Sequence, residues 1–494
     1  MKKIYYLLTI AAVLSLSSCN LDINDNPNFP SSSDVTPDLV FPAAENAVAA
    51  AVGDAMFNYG GFFAQYFEQR PEANQYNDEA ELNLDESSNL FDRCYRTLYA
   101  GALADIKDVM DRIDNKSDLY ACTVLRAYAF QILVDNLDQV PYTEALQGSS
   151  NTNPVWDKGE DVYKGVLNEM DEAEKALEGE PMSLTDPMLN KNVNQWRGFA
   201  NALRLRMYLR LIDGGINAGE YQSKAVALAN AGDFFTGDVA WDVYSPSEGQ
   251  FNPWYDVARA LGTKNHVASY PIVSYYLATN DPRIGYAIMK NEANDEYVGQ
   301  MPGAKTVYKS WGVDWKNKDV SAIDYTPAMA APICLFTQSE LQFLIAETQL
   351  RWGNKAAAKV AYEAGVAADF ASRGIGMGNF MNGNRVNWDV QASDADRLNM
   401  IYMQKWAALF YRDHMEAWSE VRRTDVPATS PYTARQIFED GTIYTAGQMI
   451  VPALNYIQAG GLCKRVPYPS TARQLNKNTP ASKLLSDRVF WDAK

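Results

Sequence analysis

Histidine is almost missing from this chain of 494 residues, in which only two occur, His266 and His414. Neither has cysteines or carboxylates beside it at the spacing of metal ligands, and neither lies in a nucleophile motif. His414 falls within a predicted helix, which favours a structural role. We therefore predict a protein that is not an enzyme and that has no cofactor and no motif-based metal site.

Cysteine is also scarce, with five residues in the chain. The four that follow Cys19 are Cys94, Cys122, Cys334 and Cys463, and they form no Cys-x-x-Cys pair. If the protein is exported to an oxidising compartment, one or two disulfides could form. Buried free thiols are equally consistent with the pattern. The many Asp and Asn oxygens leave a structural calcium site open.

Positive charge is in deficit, because 44 Lys and Arg face 61 Asp and Glu and the formal net charge is −17. This balance argues against nucleic acid as a partner and against a polybasic attachment to anionic lipid. Beyond the N-terminus no segment reaches the run of about 20 apolar residues that a membrane-spanning helix needs.

The N-terminus has the pattern of a lipoprotein signal. Lys2 and Lys3 precede a short apolar run that ends in Leu16-Ser17-Ser18-Cys19, which matches a lipobox. We predict that residues 1–18 are a cleaved signal peptide and that Cys19 carries diacylglycerol and an acyl chain such as palmitate, which anchor the protein to a membrane. An ordinary secretory signal with an incidental cysteine is the alternative. The turn-rich residues 19–37 then form a tether.

The remainder, 38–494, is predicted to be a single, mainly α domain. Apolar residues recur at three-to-four spacing in nine stretches. Those stretches are 38–57, 87–114, 118–135, 159–178, 195–213, 220–231, 338–352, 355–372 and 394–422. Helix pairs are predicted over about 87–231 and 338–422, and irregular insertions over about 232–337 and 374–393.

One helix pair carries a recognisable packing pattern. The first helix ends at Gly353-Asn354, and Ala346, Ala358 and Tyr362 occupy the small, small and aromatic positions of a tetratricopeptide unit. Any antiparallel helix hairpin with alanines at the crossing is the alternative. The repeated pairs predict a tetratricopeptide-like scaffold with large loop-rich insertions.

The insertions concentrate aromatic residues in loops, where binding residues usually lie. Trp311 and Trp315 stand among glycine and charged residues and are the preferred candidates for ligand contact, since two such tryptophans are hard to bury together. The other candidates are Trp254, Tyr255, Trp241, Tyr66, Arg70, Asn74 and Tyr76, with Phe62 and Gln65 beside them. For any single aromatic, a core position is the competing interpretation.

Several local patterns occur together and in order along the chain. They are Asn24-Asp-Asn-Pro-Asn28 after the lipobox, Asp135 to Ala145, Asp281-Pro-Arg283, Glu340 to Glu347, Trp418 to Pro427 and Arg465-Val-Pro-Tyr-Pro469. This ordered set resembles the SusD/RagB family of outer-membrane lipoproteins of the Bacteroidetes, over nearly the whole mature chain.

The resemblance implies a surface-facing, lipid-anchored protein of the outer membrane. It implies non-catalytic binding of oligosaccharides and their delivery to a SusC-like TonB-dependent barrel. A peptide-binding member of the same family, a surface glycoside hydrolase and a tetratricopeptide adaptor are the alternatives. An adaptor does not need the aromatic-rich insertion, and a hydrolase needs a carboxylate pair in a cleft.

Overall fold

A computed structural model of the chain describes residues 35–262, 264–457 and 460–493. The predicted signal peptide, Cys19 and nearly all of the predicted tether lie outside these residues. No helix within the described part has both the length and the apolar character needed to cross a membrane.

The described chain is mainly helical, which confirms the predicted fold class. The α-helices are α1 (Pro37–Ala51), α2 (Phe57–Phe63), α3 (Asn77–Glu81), α4 (Asp92–Arg96), α5 (Ala104–Arg112), α6 (Lys116–Leu137), α7 (Gly159–Lys175), α8 (Val193–Asp213), α9 (Ala218–Ala231), α10 (Pro253–Ala260), α11 (Tyr270–Thr279), α12 (Ile284–Ala287), α13 (Gln338–Trp352), α14 (Lys355–Ser372), α15 (Asp394–Leu409), α16 (His414–Thr424), α17 (Ala434–Glu439) and α18 (Ser470–Leu475). Two π-helical segments, Val52–Met56 and Thr97–Leu103, join α1 to α2 and α4 to α5.

The strands are short and form three two-stranded antiparallel ribbons in the described residues. β1 (Phe67–Gln69) pairs with β5 (His266–Ala268), β2 (Gln139–Val140) with β3 (Asp157–Lys158), and β4 (Val239–Trp241) with β6 (Ile333–Phe336). In the first ribbon Phe67 faces Ala268, which joins the loop after α2 to the 232–337 insertion.

Successive helices pack in pairs: α6 on α7, α8 on α9, and α13 on α14. The last pair has the predicted crossing, because Ala346, Ala358 and Tyr362 are all fully buried. Asn354 begins α14 as its N-cap, and its side chain accepts hydrogen bonds from Ala356 N at 2.9 Å and Ala357 N at 3.0 Å. The tetratricopeptide-like pattern thus forms as the spacing predicts.

The predicted helix over 394–422 is wrong as one element, since it breaks between α15 and α16. Tyr411 adopts a left-handed backbone conformation at φ +66°, and its N–H donates to His414 Nε2 at 2.9 Å. The Asp413 carboxylate then caps α16 by accepting from Glu416 N at 3.0 Å. The chain turns here because two polar side chains satisfy backbone groups that a continuous helix would pair internally.

A buried network of ion pairs joins five helices. Arg206 on α8 binds Glu340 on α13 through two hydrogen bonds of 2.9 and 2.7 Å. Arg210, one turn further, binds Asp135 on α6 and Glu416 on α16, each at 2.6 Å. All five side chains are almost inaccessible to solvent, so each charge depends on its partner.

The network continues towards the C-terminal half. Arg423 on α16 donates to Glu347 on α13 at 2.6 Å, and Lys405 on α15 lies 3.0 Å from Glu420. Trp491, from the C-terminal segment, is fully buried and donates through its indole N–H to Asp135 at 2.8 Å.

The two adjacent arginines at 422 and 423 have different partners. Arg423 binds a carboxylate, as the Glu347 contact shows. Arg422 instead donates to the backbone carbonyl of Asp135 at 2.8 Å and lies over the ring of Trp418, 3.6 Å from its centroid. Arg422 thus packs between a backbone carbonyl and an aromatic ring, whereas Arg423 binds carboxylates.

Close packing of α8 against the segment that follows α9 makes a first prediction. A Cβ added to Gly198 would lie 2.2 Å from Phe235 N and 2.4 Å from Phe234 C, and these backbone atoms cannot move aside locally. We expect Gly198→Ala to lower the free energy of unfolding by about 1–3 kcal/mol in urea titrations. Gly219→Ala on α9, where nothing lies within 4 Å, should raise it by up to about 1 kcal/mol. Equal effects of the two variants would contradict this packing.

The cap of α16 makes a second prediction. Burial, together with the nearby Glu416 carboxylate, raises the pKa of Asp413 to about 7. Between pH 4 and 7 the folded state keeps a proton that the unfolded state releases, so stability falls as pH rises, by on the order of 4 kcal/mol for this group. Urea titrations at pH 5 and 8 should show the loss, and Asp413→Asn, which retains the capping oxygen, should reduce it.

Asp440→Asn is the matched control, since Asp440 is an exposed cap that accepts from Thr442 N at 3.0 Å. Hydrogen bonds from Thr442 lower its pKa, so it stays ionised throughout this range. An unchanged pH dependence in Asp413→Asn would show that Asp413 does not hold the proton.

Candidate ligand-binding site

Trp311 and Trp315 lie on one surface cluster that we call the aromatic face, formed by Tyr308, Trp311, Trp315 and Phe438. Tyr308 is buried, whereas the other three rings are half-buried. Tyr308 lies 5.4 Å from Trp311 and 4.7 Å from Trp315, measured between ring centroids. Phe438 lies 5.4 Å and 5.9 Å from the same two tryptophans. The two preferred candidates therefore pack against the same two rings, and both remain partly accessible.

Local structure fixes these rings in place. A 3₁₀ turn, Tyr308–Trp311, ends at Gly312 with φ +82°, a conformation that favours glycine. The Tyr308 hydroxyl accepts a hydrogen bond from Met301 N at 2.9 Å. Phe438 comes from α17, which Thr433 and Gln436 begin with a capping box. Two chain segments distant in sequence thus build one rigid surface.

The loop before α3 lies against the same insertion and brings polar groups to it. Glu72 and Asn317 bond reciprocally, each backbone N–H donating to the other side chain at 3.1 Å. Lys305 donates to Asn77 Oδ1 at 2.9 Å and also contacts Asn74 Oδ1. Among the predicted polar residues, Asn74 therefore lies beside the insertion that carries Trp311 and Trp315, and it is exposed.

Tyr76, Arg70 and Tyr255 are half-buried but contribute differently. Tyr76 stacks on His266 with ring centroids 4.8 Å apart, and burial raises its pKa to about 12. Arg70 donates to the Lys264 carbonyl at 3.3 Å. Tyr255 packs against Phe251 at 5.2 Å, and within the described residues its ring contacts no member of the aromatic face.

Three predicted site residues are core residues instead. Tyr66 is fully buried and bonds the Trp406 carbonyl through its hydroxyl, while Trp254 stacks on Phe67 with centroids 5.8 Å apart. Trp241 is 7% exposed on β4, within the main hydrophobic core. Phe62 and Gln65 are buried as well. Their burial prevents contact with a surface ligand, so none of them is retained in the candidate site.

The two histidines are also core residues. His266 Nδ1 lies 2.6 Å from the Tyr325 hydroxyl and His414 Nδ1 lies 2.8 Å from the Phe57 carbonyl oxygen. Burial lowers the pKa of each to about 3, so both rings are neutral at physiological pH. Their roles are structural, as the helical position of His414 indicated.

The four cysteines resolve the alternative left open by the sequence, because Cys94, Cys122, Cys334 and Cys463 are all free and buried. Burial raises their thiol pKa values, which keeps them protonated and unreactive. No group of three or more His, Cys, Asp or Glu in the described part of the chain is arranged to hold a metal ion.

Comparison with known proteins decides the family. A profile described as "Starch-binding associating with outer membrane", of the SusD-like type, matches residues 31–444. The chain belongs to the SusD-like family. No curated protein matches it in sequence.

Solved structures share this SusD-like fold at low sequence identity. A SusD homologue from Bacteroides uniformis is 20% identical with a TM-score of 0.68, covering 92% of this chain and 99% of its own. A chitin-binding SusD homologue from Flavobacterium johnsoniae is 20% identical with a TM-score of 0.72, covering 92% and 98%. Another chitin-binding protein is 19% identical with a TM-score of 0.70, covering 93% and 100%.

In this SusD-like chain the Asp281-Pro-Arg283 element forms a buried set of ion pairs and hydrogen bonds. Arg283 donates to both oxygens of Asp281, at 2.9 and 2.6 Å, and to Asp369 on α14 at 2.8 Å. A further bond of 2.8 Å reaches Gln404 on α15. The element ties the 232–337 insertion to the helical frame.

Three residues of the candidate site were not predicted. Tyr308 precedes Trp311 by one helical turn, a spacing that could have indicated a shared surface. Phe438 and Lys305 carried no such signal, because only the tertiary fold brings α17 and the 70–77 loop to the insertion.

The aromatic face makes a third prediction. Phe438 packs against both tryptophans, so Phe438→Ala should expose them, shift tryptophan emission to longer wavelength and increase acrylamide quenching. Tyr432→Ala is the control, since that side chain is 39% exposed in the same segment. A fluorescence change as large in the control as in Phe438→Ala would contradict the packing.

Proposed function

We propose that this SusD-like protein captures oligosaccharides at the surface of the outer membrane without cleaving them. The observation that carries the proposal is the presence of Trp311 and Trp315 in one partly accessible aromatic cluster. Sugar rings present apolar faces edged by hydroxyl groups, and rigid aromatic rings supply matching flat area at low cost in conformational entropy.

The polar surroundings support the same ligand class. Asn74 lies at the adjoining loop and offers an amide, which can both donate to and accept from a hydroxyl group. Lys305 and Asn317 add further polar groups on the insertion itself. The profile's starch-binding description and the chitin-binding relatives agree with a glycan ligand.

The remaining parts of the proposal rest on family membership and on the N-terminal sequence. We infer that residues 1–18 are a signal peptide, that Cys19 carries the lipid, and that residues 19–37 tether a single domain, 38–494, to the membrane. The captured glycan would pass to a SusC-like TonB-dependent barrel. Cell fractionation of the wild type and of Cys19→Ser tests the anchor. We expect the wild type in the membrane fraction and the variant in the soluble fraction.

Calorimetric titration makes the fourth prediction. Protein lacking residues 1–19 is titrated with chito-, malto- and xylo-oligosaccharides and with a peptide mixture. We expect one sugar class to bind, and Trp311→Ala and Trp315→Ala each to raise its Kd about tenfold or more, which corresponds to at least about 1.4 kcal/mol.

Trp352→Ala is the matched control, because Trp352 is a half-buried tryptophan at the end of α13. Peptide binding without sugar binding would favour the peptide-binding alternative. If chromatography shows that the oligosaccharide becomes shorter during incubation with the protein, the glycoside hydrolase alternative would be favoured.

A further inference from the structure

A second cleft, distinct in its residues from the aromatic face, lies between the start of α15 and the segment after α17. Its volume is about 320 Å³, which falls at the lower end of the range for small-ligand sites. Its polar lining comes from Asn384, Arg385, Gln391, Asp396, Asn399, Thr445 and Gln448. The apolar part includes Tyr275, Met400, Met403, Pro427 and Ala428.

The cleft has a fixed shape. Gly447 adopts φ +91°, and a Cβ there would lie 2.9 Å from both Met403 Cε and Tyr275 Cδ2. Its N–H donates to Ser274 Oγ at 3.1 Å, and Arg385 donates to the Ala446 carbonyl at 3.3 Å. The segment after α17 is therefore held at close range across the opening.

Four side chains of the polar lining are available for a ligand. Within the described residues, the side chains of Asn384, Asn399, Thr445 and Gln448 make no intramolecular hydrogen bond, although backbone carbonyls of Asn384 and Gln448 do. Three primary amides and one hydroxyl thus face solvent in one concave place. Each amide presents a donor beside an acceptor, which matches the neighbouring hydroxyl groups of a sugar.

Charge and backbone geometry narrow the ligand class. The lining contains one cation, Arg385, and one anion, Asp396, so the cleft favours a neutral molecule over a strongly charged one. None of the strands β1–β6 lines it, so it offers no strand edge on which a peptide could be added. Tyr275 is 2% exposed, which leaves no ring face for stacking.

We propose that this cleft is a second carbohydrate subsite, which binds a neutral sugar through hydrogen bonds to its hydroxyl groups rather than by stacking. The proposal rests on the proposed function for its ligand class. The two sites are also connected through the protein interior. Tyr444 directly precedes the cleft residue Thr445, and it packs against the hydrophobic cluster that contains Tyr308 and Ile437.

Site-specific reporters separate the two sites. The four described native cysteines are buried, so a single introduced cysteine on the mature chain lacking Cys19 can be labelled with an environment-sensitive dye. Ala392→Cys reports on the cleft rim, next to Gln391, and Lys309→Cys reports on the aromatic face. The probes are maltose and diacetylchitobiose. They are titrated into the millimolar range, because a site without aromatic stacking is expected to bind sugars weakly.

We expect a saturable response of the label at position 392 to at least one disaccharide. When Asn399→Ala and Gln448→Ala are added to the protein labelled at position 392, the Kd for that disaccharide should rise at least about fivefold. In the protein labelled at position 309, the same two substitutions should leave the response unchanged. Gln222→Ala on α9 is the amide control, and thermal unfolding checks that each variant is folded.

The outcomes separate this proposal from the proposed function. A response at position 392 that depends on Asn399 and Gln448, with none at position 309, supports the cleft and contradicts the aromatic face. No saturable response at position 392, or one that survives both substitutions, overturns the cleft whatever position 309 shows.

Discussion

Pairing of buried charges is the constraint on which the rest of this structure depends. Arg206 and Arg210 lie on one face of α8, and their carboxylate partners come from α6, α13 and α16. Removing one partner would leave an uncompensated charge in a solvent-free interior, which is far more costly than losing an apolar contact. The network therefore specifies which helices may be neighbours, whereas the surrounding alanines and aromatics only require close packing. The loops that carry the aromatic face are positioned by this frame.

The sequence predicted the frame well where periodicity and small residues specify it. Ala346, Ala358 and Tyr362 predicted the α13–α14 pair because their spacing alone brings small side chains to a helix crossing. The same periodicity wrongly predicted one continuous helix across α15 and α16. Apolar residues continue through the break, and only the capping chemistry of Asp413 and His414 ends one helix and begins the next. Ion-pair partners could not be assigned, since they are distant in sequence and meet only in the fold.

The candidate site was predictable in part. Trp311 and Trp315 are close in sequence, and the glycine and charged residues around them limit how deeply they can be buried. Tyr66 and Trp254 are buried instead, because Tyr66 directly precedes β1 and Trp254 stacks on Phe67 of that strand. Phe438 and the cleft residues after α17 had no local signal, because their relevance comes from tertiary contacts with α11 and the insertion.

The position of Trp491 bears on when the protein can fold. Its indole N–H donates to Asp135, so a residue from the C-terminal segment satisfies a carboxylate at the centre of the ion-pair network. Phe490 N–H similarly donates to Asp138 at 2.7 Å. A nascent chain lacks these partners until position 491 has left the ribosome. The interior therefore closes late in biosynthesis, only after the C-terminal segment has been synthesised.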